Sequence, residues 1–515
     1  MSIAFELTNQ ARGRAILYAL KRRYRAAEAE RTEDRQTVFD TFDWRLWSAG
    51  AVLTGRRDGR DWLLRWMPLE GAGEIRERFE ALPAFAWDLP PGRLRQEIEE
   101  LVETRRLLPL VEIVRRSEEV RLLDRRQKTV ARLRLEAWRV RGAGAKTMTR
   151  LPPRLVALPV RGFDRALERL VGFLASEGLE RGSKPLLDQA YEACGLEPGD
   201  YSSKIAVTLE PELPAHLAMR RIHRGLLETM RRNEDGLRRD LDSEFLHDFR
   251  VAVRRTRSAL TQVKGVLPPA RVGHFRQEFA WLGRQTGMLR DLDVYLLKFG
   301  GYRASLPADV GADLDPLEAL LERKQKTEHR RVVRALATKR YQRLVSEWVL
   351  FLADEEAPGI PAEGVAPTGE MAREHILKAH AKVIRKGRAV DPGSPDEKLH
   401  RLRIDCKKLR YLLEFFRGLY EPQAIAKPVK ALKALQDNLG DFNDFSVQQR
   451  AIRGFAEELA AAGTPPATLM ALGRLIAILA RGQGEERRRF HEQFVRFDRP
   501  KVHKRLTRLV ESAVP

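Results

Sequence analysis

A twelve-residue segment occurs twice in this chain, and that duplication limits what the C-terminal part can fold into. Leu246-His247-Asp248-Phe249-Arg250-Val251-Ala252-Val253-Arg254-Arg255-Thr256-Arg257 matches Leu399-His400-Arg401-Leu402-Arg403-Ile404-Asp405-Cys406-Lys407-Lys408-Leu409-Arg410, 153 positions later. At the same offset and without a gap, Gly265 meets Gly418, Leu282 meets Leu435, Gly287 meets Gly440 and Asp291 meets Asp444. Farther on, at offset 158, Arg323-x-Gln325 matches Arg481-x-Gln483, and Arg330-Arg331 matches Arg488-Arg489. A register held this long marks two copies of one structural unit.

The period of the apolar residues says what kind of unit. From residue 215 onward they recur at helical spacing, after Pro211 and Pro214 punctuate the chain. Residues 354–370 carry three prolines and three glycines and read as a linker. The expected helical copies are therefore 215–353 and 371–512. Residues 1–204 differ in texture. Val52 to Trp66 reads as a hairpin turning at Asp58-Gly59, and residues 120–140 as another turning near Asp124 to Gln127. In the second arm, Ala131, Leu133, Leu135 and Ala137 alternate with Arg132, Arg134 and Glu136, the period of a strand with one apolar face. Helices are expected at 163–176 and 183–194. The fold class is α+β and multidomain: an antiparallel β region followed by an all-α region.

Charge bears on the partner. The formal net charge is +22, with 94 Lys+Arg against 72 Asp+Glu. Residues 1–210 hold 38 basic and 32 acidic side chains, and residues 211–515 hold 56 and 40, so most of the excess lies in the duplicated part. Such a balance points to a polyanion: nucleic acid, anionic lipid or a phosphate polymer. No window offers about 18 consecutive apolar residues, which argues against a membrane span. Residues 1–10 lack a basic segment followed by an apolar one, which argues against a signal peptide. Cys194 and Cys406 are the only cysteines, so neither a disulfide framework nor a zinc site is expected, and a reducing cytoplasm fits.

Helix geometry places the repeated residues. At about 100° per residue, His247, Arg250, Arg254 and Arg257 fall within roughly an 80° arc. Leu246, Phe249, Val253 and Leu260 occupy the neighbouring arc. In the second copy His400, Arg403, Lys407 and Arg410 form the stripe, with Leu399, Leu402, Cys406 and Leu413 beside it. Like charges at these spacings repel by a few tenths of a kcal/mol per pair. A duplicated arrangement of that kind suggests an anion that offsets the repulsion, where a single basic helix face suggests only solvation. The two histidines are either packed edge residues or phosphate contacts; as contacts, with an ordinary pKa near 6.5, they strengthen binding in mild acid. Asp291 and Asp444 either cap a helix or orient a stripe arginine. Only 7% of residues are aromatic, and none lies within the stripes to stack bases, which argues against nucleic acid.

Both His-x-x-Arg-x-x-x-[Arg/Lys]-x-x-Arg stripes, with Gly287-Met288-Leu289-Arg290-Asp291 and Gly440-Asp441-Phe442-Asn443-Asp444 downstream, resemble the CHAD domain, the conserved-histidine α-helical domain. The resemblance covers about 215–510. It implies two antiparallel four-helix bundles related by a pseudo-twofold axis, with the basic stripes facing a shared central groove. It also implies inorganic polyphosphate as the partner and, for some members, association with storage granules. The contacts it implies are His247, Arg250, Arg254, Arg257, His400, Arg403, Lys407 and Arg410, with Arg323, Arg330, Arg331, Arg481, Arg488 and Arg489 as secondary candidates.

The N-terminal part resembles the CYTH, or triphosphate-tunnel, family. The resemblance rests on Phe39-Asp40-Thr41-x-Asp43-x-x-Leu46-x-x-Ala49-Gly50, Leu158-Pro159-Val160-Arg161-Gly162 and Pro198-Gly199-Asp200-Tyr201-Ser202-Ser203-Lys204. It implies a β tunnel barrel in a CYTH–CHAD tandem. The family's Glu-x-Glu-x-Lys would fall at Glu6-Leu7-Thr8-Asn9-Gln10, leaving one carboxylate, and its basic positions are blurred into Thr54-Gly55-Arg56-Arg57 and Arg65-Trp66. Metal-assisted hydrolysis needs the missing acids. The expectation is a degenerate tunnel with no catalytic residue, metal or cofactor. In it Arg132, Arg134 and Glu136 either line the bore or form a salt-bridged interior. The alternative function is a metal-dependent triphosphatase or polyphosphatase acting through this region.

Overall fold

The computed structural model describes residues 2–70, 73–182, 184–356 and 358–513. Met1, and Ala357 of the expected linker, lie outside the described residues. The chain divides into two units, Met1–Ser202 and Ser203–Pro515.

The first unit is an antiparallel sheet with helices. In chain order it runs β1 (Ile3–Glu6), α1 (Gln10–Arg23), β2 (Ala26–Asp40), α2 (Arg45–Ser48), β3 (Ala51–Asp58), β4 (Asp61–Pro68), β5 (Ile75–Phe79) and α3 (Arg93–Val102). It continues with β6 (Leu108–Leu123), β7 (Thr129–Gly142), β8 (Thr149–Arg150), β9 (Arg154–Pro159), α4 (Asp164–Ser176) and α5 (Leu186–Ala193). The sheet order is β1-β9-β7-β6-β2-β3-β4-β5, with β8 on β7. The alternation in β7 does what its period requires: Ala131, Leu133 and Leu135 are buried in one cluster with Leu17 and Leu20 of α1 and Leu170 and Leu174 of α4. The first hairpin differs by one residue from the expectation. Asp58 pairs with Asp61, so the two-residue loop is Gly59-Arg60, not Asp58-Gly59. Gly59 has φ +69°, and putting the glycine first in the loop gives the left-handed position to the residue that tolerates it.

Two of the singled-out motifs meet in this unit and build a turn. The buried Asp40 carboxylate accepts the N–H groups of Thr41, Leu46 and Trp47 at 2.7, 2.9 and 2.8 Å, which ties the end of β2 to α2. Trp44 Nε1 donates to Asp200 at 3.0 Å, and the Phe42 and Tyr201 rings lie 4.6 Å apart. The 39–50 and 198–201 segments therefore have a structural role in holding each other.

The second unit is helical. The first copy comprises α6 (Ala215–Arg238), α7 (Ser243–Gln262), α8 (Pro269–Gln285), α9 (Gly287–Ala304), α10 (Ala308–Gly311), α11 (Asp315–Leu336) and α12 (Lys339–Ala353). After α13 (Ala362–Val365) come α14 (Thr368–Arg388), α15 (Asp396–Phe415), α16 (Pro422–Ala461), α17 (Pro466–Phe497) and α18 (Pro500–Glu511). The 153-residue offset of the sequence repeat is also the offset between the starts of α6 and α14, between both ends of α7 and α15, and between the starts of α8 and α16. The copies differ at Thr286, where the first is interrupted between α8 and α9 while α16 runs through as one 40-residue helix. Thr286 is fully buried and its hydroxyl bonds back to the Leu282 carbonyl at 3.1 Å, competing with the helix ladder. Leu292, Phe299, Leu317 and Leu321 share a buried cluster with Ile452, Leu459, Leu472 and Leu479, so the two copies have one core in common. Among the described residues no helix is long and apolar enough to cross a membrane.

The α6–α7 hairpin is drawn tight at Gly236, where a β-carbon would lie 2.2 Å from the Phe245 ring. Phe245 is 1% exposed and has no room to yield. Gly236→Ala should therefore destabilise the chain by about 1–3 kcal/mol through overpacking. A thermal melt followed by circular dichroism checks it, and an unchanged midpoint would contradict the packing.

Candidate anion-binding site

The stripes sit on α7 and α15, and the local sequence explains both helices. Asp242 starts α7 by accepting the N–H groups of Glu244 and Phe245 at 2.9 and 3.2 Å. Leu246, Phe249, Val253 and Leu260 are buried, as are Leu399, Leu402, Cys406 and Leu413 on α15. The cations lie along the seam beside those faces. His247, Arg250, Arg403, Lys407 and Arg410 are half-buried; Arg254, Arg257 and His400 are exposed.

The two stripes come together where α7 packs on α15. Arg254 Nε donates to the Tyr411 hydroxyl at 2.7 Å, across the two copies. Arg255 pairs with Glu414 at 2.8 Å, and the same carboxylate accepts Arg410 Nε at 2.6 Å. Arg250 Nη1 donates to Thr286 Oγ1 at 2.9 Å and to the Gly283 carbonyl at 3.1 Å, using the groups exposed at the α8–α9 break. Arg403 Nη2 lies 3.4 Å from Asp444. His400 Nδ1 lies 2.7 Å from Oδ1 of the Asn443 side chain, an amide oxygen that can only accept, which makes that nitrogen the donor.

Electrostatics show how closely the charges gather. Burial, followed by Arg403 and Arg254 and then Arg410, pushes the Lys407 ammonium down to about 8, with Asp444 opposing. Arg254 belongs to the first stripe and Arg403 and Arg410 to the second, so one lysine feels both. Burial also pulls Arg250 below its ordinary value, opposed by Asp291 and reinforced by Arg254, Arg290 and Arg257. Burial holds Asp291 above the usual carboxylate range, against Arg250 and Arg290, with Asp444 adding its repulsion. Each downstream aspartate thus faces the arginine of its own copy.

The secondary candidates sit elsewhere. Arg323 and Arg330 are exposed on α11, and Arg481 and Arg488 on α17. Arg331 pairs with Glu328 at 3.3 Å and Arg489 with Glu486 at 2.9 Å. Arg331 and Arg489 are thus engaged on their own helices, away from the α7–α15 contact. The glutamines in the same repeated pattern have a structural use: Gln325 donates to Asp293 at 3.4 Å and Gln483 to Asp396 at 2.9 Å. Tyr411 and Glu414 touch the stripes and were not among the sequence candidates. Tyr411 lies just outside the cationic arc, whereas Glu414 lies within it at i+4 from Arg410; Ser258 and Thr261 stand at their positions in the first copy, so the repeat does not point to either.

In the first unit Glu6 accepts Arg154 Nη2 at 3.2 Å and Gln189 Nε2 at 2.7 Å. Arg134 pairs with Glu119 at 2.7 Å, and Glu136 lies 3.5 Å from Arg134 and 3.7 Å from Arg115, so this strand face is an ion-paired lattice. Burial holds Glu136 above the usual carboxylate range. Nearby, Asp34, Arg56, Arg65, Arg76 and Arg115 line a cavity of about 370 Å³. Among the described residues no group of three or more His, Cys, Asp or Glu side chains could hold a metal ion.

Residues 221–453 match the family model of the CHAD domain. The crystal structure of the CHAD domain from the plant Ricinus communis is 28% identical, covers 57% of this chain and 96% of its own, and superposes with a TM-score of 0.49. PptA from Streptomyces chartreusis is 20% identical over 55% of this chain and 99% of its own, with a TM-score of 0.43. A Hippeastrum protein, whose structure is described as revealing a dominant triphosphatase activity, is 14% identical over 39% of this chain and 99% of its own, with a TM-score of 0.27. No curated protein matches the chain. The helical unit, in which two cationic helices pack on one another, thus contains the segment that matches the CHAD-domain model, and an antiparallel-sheet unit precedes it in the chain.

Proposed function

We propose that the helical unit binds inorganic polyphosphate, holding the chain in a basic groove between its two copies. The observation that carries this reading is the position of Lys407 among Arg254, Arg403 and Arg410. Half-buried like charges raise the energy of the empty site, and a polyanion is the ligand that relieves it. His247, Arg250, Arg254, Arg257, His400, Arg403, Lys407 and Arg410 are the contacts. Planar guanidinium groups give charge-assisted hydrogen bonds to phosphate oxygens, in pairs where the geometry allows. Arg323, Arg330, Arg331, Arg481, Arg488 and Arg489 extend the basic surface along which a long chain runs. The protein is then a cytoplasmic polyphosphate binder that associates with polyphosphate granules, and the first unit does not contribute hydrolysis.

A ligand held by many modest contacts should bind with an affinity that grows with its length and falls steeply with salt as counterions are released. Calorimetry with tripolyphosphate and with long-chain polyphosphate should show much tighter binding of the long chain, and equal affinity would contradict the extended site. Replacing Arg250, Arg254, Arg403 and Lys407 together with alanine should abolish binding while far-ultraviolet circular dichroism keeps its helical signal. Retained affinity would place the ligand on another face.

Lys407 supplies a third expectation. Its proton is lost near pH 8 in the folded chain, against 10.5 for an ordinary lysine. Between those values the unfolded chain holds a proton that the folded chain does not, so this group makes stability rise with pH there, and its full cost is present below pH 8. Lys407→Met keeps the apolar stem and removes the charge. It should raise the melting temperature at pH 7, by less as pH climbs toward 10, and should weaken polyphosphate binding. A lower midpoint at pH 7 would show that the ammonium is stabilising where it stands.

A further inference from the structure

The two copies are unequal at the place where they meet. Arg254 and Arg255 correspond through the repeat to Lys407 and Lys408, and Tyr411 and Glu414 correspond to Ser258 and Thr261. Tyr411 reaches Arg254 and Glu414 reaches Arg255 and Arg410. Among the described residues the mirrored side chains bond within their own helix instead: Thr261 donates to the Arg257 carbonyl at 2.7 Å, and Ser258 accepts from Gln262. Arg254 is therefore anchored at one edge, while its repeat mate Lys407 is an ammonium standing among other cations.

We propose that Tyr411 and Glu414 are positioning residues of the anion site, pre-orienting Arg254 and Arg410 and making the first-copy half of the site the stronger one. The proposal rests on the polyphosphate reading above. Tyr411 is 9% exposed, and its ring packs on Phe415 with the planes 24° apart, so its hydroxyl is held in place before any ligand arrives. It takes only the Nε–H of Arg254, leaving the two terminal amino groups of the guanidinium for the ligand. Because the acceptor is a neutral hydroxyl, the arginine keeps its full charge. The same holds for Arg250, whose acceptors are the Thr286 hydroxyl and the Gly283 carbonyl. In the second copy the acceptors are carboxylates, Asp444 for Arg403 and Glu414 for Arg410, which neutralise part of the charge they orient. The hydrogen bonds that fix Arg254 and Arg250 thus run to neutral groups, whereas those that fix Arg403 and Arg410 run to carboxylates. Arginine's planar fork loses little freedom on binding once one edge is held, and a free lysine loses more.

The test is binding of long-chain inorganic polyphosphate to the full chain, measured over a series of salt concentrations. Tyr411→Phe keeps the ring and should weaken binding roughly tenfold, the scale of one hydrogen bond to a charged group. Its melting temperature and the slope of log affinity against log salt should match the wild type, because no charge is lost. Arg254→Ala should lower that slope by about one ion and weaken binding more than Lys407→Ala does. In the Arg254→Ala background Tyr411→Phe should have no further effect, a coupling that general destabilisation would not produce. Ser258→Ala, at the mirrored position, should bind as the wild type. A wild-type chain that does not bind polyphosphate overturns the functional reading itself. A wild type that binds, with Tyr411→Phe equal to it or with the two substitutions additive, overturns the positioning role alone.

Discussion

Like charges pressed together at a helix–helix contact are the constraint around which the second unit is organised. The surface of α7 that packs on α15 brings a guanidinium of one copy within the field of an ammonium and two guanidinium groups of the other. Nothing in the packing of Leu246, Phe249, Leu399 or Leu402 requires cations beside them; a neutral seam would fold with less repulsion. What makes the arrangement tenable is the set of acceptors around it. The Tyr411 and Thr286 hydroxyls, the Gly283 carbonyl and the carboxylates of Asp444 and Glu414 each hold one edge of a guanidinium. The contact stays half-solvated, so the remaining edges keep access to water or to an anion.

The rest of the unit serves that contact. The shared apolar cluster of α9 and α11 with α16 and α17 keeps the two copies from separating under their own repulsion. The break at Thr286 turns a helix interior into acceptors for Arg250, which the unbroken α16 does not offer to Arg403. Arg403 relies on Asp444 instead. Duplication therefore supplied two stripes, and divergence gave them different supports. The first unit shows the opposite balance of charge. There Arg132, Arg134, Arg115, Glu119 and Glu136 pair with one another, so a charged strand face is internally compensated.

Much of this could be read from the sequence, and the reasons are specific. The repeat register set 246–257 and 399–410 at matching positions of two helices, α7 and α15, because a helix is a local structure and its period carries directly into side-chain direction. The buried arcs followed for the same reason. The Gly59 hairpin was displaced by one residue because Asp-Gly and Gly-Arg are both acceptable turn pairs and only strand register chooses between them. Tyr411 lies just outside the cationic arc of its own helix. Its hydroxyl nevertheless reaches the stripe of the other helix, because a long side chain spans the gap that helix packing creates. The Asp40 motif, read as part of a tunnel signature, proved to be the hydrogen-bonded corner that holds α2 and Asp200 in place.

The sequence alone determined the duplicated helical unit, the antiparallel strands ahead of it and the two lines of cations, because periodicity and repetition are properties of neighbouring residues. Tertiary structure decided which of those cations meet. The stripes on α7 and α15 converge, whereas the arginines of α11 and α17 stay on exposed faces. It also decided which cations are held by neutral groups and which by carboxylates. The pairings of Arg254 with Tyr411 and of Arg255 with Glu414 join residues more than a hundred positions apart, and the distance between two side chains on different helices is set by how the helices pack, which no local pattern encodes.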